Sequence, residues 1–61
     1  MSALTREDWE RCRSNRNVQA VAVCYFLKAG DVETAMQRVE KFTYWDSEMA
    51  RIEAQLDGEA A

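Results

Sequence analysis

Apolar positions recur with helical spacing over most of the chain. The clearest stripe is Val32, Ala35, Val39, Phe42, Trp45, Met49, Ile52 and Leu56, where every step is three or four residues. No proline or glycine interrupts the segment between Val32 and Asp57, and Gly58 is expected to end it, so the pattern predicts a long helix over 32–57. Upstream, residues 18–29 are apolar on almost every side, a composition that would also suit a strand. A helix is predicted there because a lone strand has no visible partner and Ala20, Ala22 and Ala29 favour helix. The run Ala29-Gly30-Asp31 also reads as a C′ glycine followed by a new N-cap. A helix apolar on nearly all sides is expected to be buried on more than one face, in the middle of whatever forms.

Thr5 precedes Arg6-Glu7-Asp8, with an acid three residues on, which predicts a capping-box start and a short helix over 6–13. Ser14-Asn15-Arg16-Asn17 is then expected to be a polar break, because such side chains compete for backbone hydrogen bonds. The predicted fold class is therefore all-α in one domain over 1–61. A short N-terminal helix precedes an antiparallel hairpin with a long C-terminal helix. At 1.5 Å per residue the last helix would be about 39 Å long and the middle one roughly 18–21 Å. The hairpin would cover only half of the last helix, leaving Met49, Ile52 and Leu56 either to the first helix, if it folds back beyond the hairpin, or to a second protein.

Composition sharpens this picture. Of 61 residues 48% are hydrophobic, but nine are alanine, and Val, Ile, Leu and Phe together number only eleven. So sparse a set of large apolar side chains favours assembly over a self-sufficient monomer, and a homodimer is expected. The chain has no histidine and two cysteines, Cys12 and Cys24, which cannot close a zinc site by themselves. No metal and no cofactor are expected. With no leader-like segment ahead of the cysteines, and no apolar run longer than the eight residues 20–27, the expected setting is cytoplasmic and reduced, without a membrane span.

The net charge of −3 is uneven. Four arginines and three acids occupy the first 17 residues, whereas eight acids and three basic residues follow from Asp31 onward. Nucleic-acid binding is disfavoured in so acidic a chain, and a helix-turn-helix reader would begin its recognition helix with Asp31-Val32-Glu33. The alternative that remains is a small nucleic-acid-associated regulator using Arg11, Arg13 and Arg16 as anion contacts. Catalysis is not expected, since a hairpin with few large side chains can hardly enclose carboxylates such as Glu33/Glu40 or Glu48/Glu53. Phe42-Thr43-Tyr44-Trp45 puts three aromatics on more than half of a helix's circumference, so Tyr44 and Trp45 are expected to anchor an interface together with Met49, Ile52 and Leu56.

Phe26, Gly30, Asp31 and Ala35 resemble the turn of a tetratricopeptide-repeat hairpin, over roughly residues 18–42. An aromatic four residues before a Gly-Asp turn and an alanine five after the glycine imply a close helix crossing at Ala35. Gln19 stands where that family has tryptophan, Ala22-Val23 replaces Leu-Gly, and no proline closes the unit. The resemblance therefore implies hairpin geometry and no peptide groove. In format, a short acidic helical chain with an incomplete core is also similar to the small accessory proteins of bacteriophage early regions. That likeness implies a regulator binding a cellular, host protein.

Overall fold

The computed structural model describes residues 4–60, and these form two antiparallel helices: α1 spans Arg6–Lys28 and α2 spans Val32–Ala60. There are two helical segments, not three. The expected short helix over 6–13, the break at 14–17 and the separate helix over 18–29 merge into one continuous α1. Helix α2 also runs past 57, with Gly58 inside it.

The merger has an energetic reason. Placing Ser14, Asn15, Arg16 and Asn17 in a helix costs each of them a few tenths of a kcal/mol relative to alanine, about 2 kcal/mol in all. Breaking the helix would detach the first turns of α1, which carry Trp9 and Cys12 against Met49 and Ile52 of α2. Full burial of one large apolar side chain is worth about 1.5–3 kcal/mol, so several such contacts outweigh the propensity cost. Arg16 adds a tie of its own: its Nη1 donates to Asp46 Oδ1 at 3.0 Å, and the guanidinium carbon lies 5.8 Å from the centre of the Phe42 ring.

Local chemistry sets the helix ends. Thr5 caps α1 through a capping box in which the Asp8 amide donates to Thr5 Oγ1 and the Thr5 amide donates to Asp8 Oδ2. At the other end Ala29 is the C-cap and Gly30 sits at φ 80°. The Asp31 amide donates to the Phe26 carbonyl at 2.8 Å and the Gly30 amide to the Leu27 carbonyl at 3.1 Å, the paired bonds of a Schellman ending. Asp31 then opens α2, its Oδ1 accepting from the Thr34 amide at 3.0 Å. The turn and both caps fall at the residues the sequence indicates.

A 23-residue α1 is roughly 34 Å long against about 44 Å for α2, so it covers about four fifths of its partner rather than half. Met49 and Ile52 are therefore not left over. They are buried with Cys12 in the chain's own core, with Leu4, Trp9, Trp45 and Leu56 packed around them. This core occupies the end of the hairpin that holds the termini. Toward the turn, among the described residues, only Ala35 is buried.

The molecule is correspondingly elongated, 46 × 20 × 14 Å, with a radius of gyration of 14.2 Å against the roughly 10–11 Å of a compact chain this size.

Candidate interaction surface

Large apolar side chains that the fold leaves in solvent gather in the turn-proximal half. Val18, Val21, Tyr25 and Leu27 of α1 and Val32 and Met36 of α2 are each more than half exposed, Val21 at 70%. Tyr44, near the middle of α2, is also more than half exposed. In α1 the cause is readable residue by residue. Cys12, half-buried Arg16, Gln19, Val23 and Phe26 recur every three or four positions and turn toward α2. Val18, Val21 and Tyr25 follow the same spacing on a different face of the helix. Residues 17–27 contain no charged side chain, so nothing ionic interrupts that second face. The expectation that this segment is buried on more than one face is not met within the single chain, where Val18, Val21 and Tyr25 face solvent.

The residues expected at an interface separate into three environments. Met49 and Ile52 are core residues, and Trp45 and Leu56 are half-buried against that core. Tyr44 is exposed, its ring meeting the Trp45 ring edge-on with centres 5.0 Å apart. The reason for assigning Met49, Ile52 and Leu56 to a contact with another protein was a middle helix too short to reach them, and continuous α1 removes it. Beside Tyr44 and Trp45 lies an open groove of about 490 Å³, completed by Asn15, Gln19, Glu40 and Lys41. So open a groove, lined by two amides and one opposed charge pair, has nothing in it that isolates a reacting group from water.

The three arginines considered as anion contacts are not brought together. Arg11 lies 3.4 Å from Asp8, Arg13 3.8 Å from Glu10 and Arg16 3.0 Å from Asp46. Successive helical positions turn by about 100°, so Arg11 and Arg13 point to opposite sides of α1. Each guanidinium already has a carboxylate beside it.

Trp9 has the densest set of contacts that sequence inspection missed. Its Nε1 donates to Glu53 Oε1 at 2.8 Å, and the Arg6 and Arg13 guanidinium carbons stand 4.7 and 5.8 Å from its ring centre. The signal was present in Arg6, Trp9 and Arg13, spaced by three and four on one continuous helix. The supposed break at 14–17 hid it. The perturbed carboxyls mark architecture rather than chemistry. Backbone and side-chain hydrogen bonds from Thr5 hold Asp8 below its usual range, those from Thr34 do so for Asp31, and the Arg51 side chain does so for Glu48. Among the described residues no group of His, Cys, Asp or Glu could hold a metal ion. Both cysteines are free, Cys12 buried and Cys24 exposed.

No family model, curated protein or solved structure matches this chain. Among the described residues, no helix is long and apolar enough to cross a membrane.

Proposed function

We propose that this chain is a non-enzymatic protein-interaction module that works as a homodimer, in the manner of a small regulatory or accessory protein acting on a cellular or host partner in a reduced, cytoplasmic setting. One observation carries the reading: six large apolar side chains are more than half exposed in the turn-proximal half, where the hairpin buries only Ala35. A monomer leaving that much apolar surface in water forgoes the main source of folding free energy. The total surface agrees. The chain exposes 4649 Å², whereas a compact monomer of its mass exposes about 4,000 Å². That surplus is of the order that a standard dimer buries on each partner, about 800 Å².

The nucleic-acid alternative draws no support from the arginines, which diverge and lie against carboxylates. Sedimentation equilibrium across a wide concentration range tests the dimer. The reading requires a mass near twice that of the chain with dissociation on dilution, and a single species of chain mass at millimolar concentration rejects it.

A further inference from the structure

The dimer reading leaves open which surfaces meet, and the pattern on α1 supplies a specific answer that rests on it. Val18, Val21, Ala22 and Tyr25 follow i, i+3, i+4, i+7 spacing and so form one stripe. Val18, Val21 and Tyr25 are 63%, 70% and 66% exposed. Arg11, two turns further toward the N-terminus, continues the same line; its side chain is 70% exposed, with Asp8 of the same helix 3.4 Å away.

We infer that a second copy covers this stripe by packing α1 against α1 in antiparallel fashion, with a two-fold axis passing between Val21 and Ala22. Two properties of the stripe select a second copy as the occupant. The first is self-complementarity of size. With the axis at that place Val18 lies level with Tyr25 of the other copy, and Val21 level with its Ala22, so each large side chain at the centre meets a small one. An isologous contact needs this match of a surface with its own rotated image.

The second property is charge. In the same register Arg11 comes within about 2 Å, along the axis, of the level of Asp31 in the other copy, inside the reach of an arginine side chain. Asp31 stands exposed at the hairpin tip, its carboxylate accepting from the Thr34 amide and side chain. Lys28 comes level with uncharged Asn15. Arg16, one residue from that level, is turned to Asp46 of its own α2, and Glu10 comes level with Glu33. Two Arg11–Asp31 pairs would flank an apolar centre. In a parallel arrangement Arg11 would face Arg11, and the pairing would be lost.

Disulfide trapping tests the register. In a Cys24→Ser background, Val18→Cys protein mixed with Tyr25→Cys protein should give the mixed disulfide as the dominant product on mild oxidation. Dominant like-with-like products would mean a parallel pairing and overturn the inference. Val21→Glu should lower the dimerisation constant by roughly a hundredfold by placing carboxylates in the contact, with helicity kept because Val21 faces solvent in the single chain. Met36→Glu, on α2 and outside the stripe, should leave the constant unchanged. Arg11→Glu should weaken dimerisation several-fold and reduce its sensitivity to salt.

A wild-type dimer that is broken by Met36→Glu and untouched by Val21→Glu would place the contact on α2, overturning this inference while the homodimer stands. A wild-type chain that stays monomeric at millimolar concentration removes both. If Val21→Glu loses its helices, the trapping result decides, since neither cysteine variant introduces a charge.

Discussion

Gly30 holds the only positive φ among the described residues, and its role is confined to the backbone. A Cβ built there meets nothing within 4 Å, so the cost of a side chain comes from the left-handed conformation alone. Gly30→Val should therefore lose about 1–2 kcal/mol in chemical denaturation, while Gly30→Asn recovers much of it. Gly58→Val, in the last turns of α2 with open space around it, should change stability little. Equal losses at the two glycines would contradict the Schellman turn. The cap carboxylates give a second expectation at this scale. Hydrogen bonds to Thr5 and Thr34 lower the Asp8 and Asp31 pKa values below the ordinary 3.8. A carboxyl whose pKa is lower folded than unfolded lends stability that is full above its unfolded pKa and disappears as pH falls through the folded one. Thermal stability should hold down to about pH 5 and then decline through pH 4 and below, with a shallower decline in Asp31→Asn.

Continuity of α1 is the decisive feature at the scale of the element. Asn17 is exposed and lies in the interior of a helix, so Asn17→Ala should raise stability by about 0.5 kcal/mol through propensity. If a second helix began at residue 18, the same change would delete its cap and lower stability by about 1 kcal/mol. The sign of the shift in denaturation midpoint distinguishes the two. Continuity also turns the distal half of α2 from a surface into a core. Ile52 is 2% exposed, and Ile52→Ala should cost about 2–4 kcal/mol, enough to unfold so small a hairpin. Leu56→Asp should likewise reduce helicity, since Leu56 packs on the Cys12–Met49–Ile52 cluster.

At the scale of the whole molecule, the two halves of the hairpin differ in what closes them. The terminal half has Trp9, Cys12, Trp45, Met49, Ile52 and Leu56 in contact, tied by the Trp9–Glu53 hydrogen bond. The turn-proximal half has Ala35 buried and apolar side chains facing outward. If a second copy completes that half, the thermal midpoint must rise with protein concentration, because association stabilises only the folded form. A midpoint constant over a thousandfold dilution range would oppose the dimer. Amide exchange should be slowest around Cys12 and Ile52, and near the turn it should slow as concentration increases.

The residues themselves determined whatever depends on neighbours in the chain. Ala29-Gly30-Asp31 could end one helix and begin another because only glycine enters the left-handed region cheaply, and Thr5 and Asp8 could reach each other's backbone three residues apart. The stripe from Val32 to Leu56 specified a helix by its period. Only the tertiary structure decided that α1 runs through Ser14-Asn15-Arg16-Asn17, because the compensation for that stretch comes from Trp9, Cys12 and Arg16 meeting residues 30 or more positions away. It also decided which apolar face of α1 is buried. Val23 and Phe26 on one side, and Val18, Val21 and Tyr25 on the other, both satisfy helical spacing, and period alone carries no information about which face meets α2. That choice belongs to the contacts between the helices: Cys12 packed with Met49 and Ile52, and Arg16 bonded to Asp46, fix which face of α1 turns to α2.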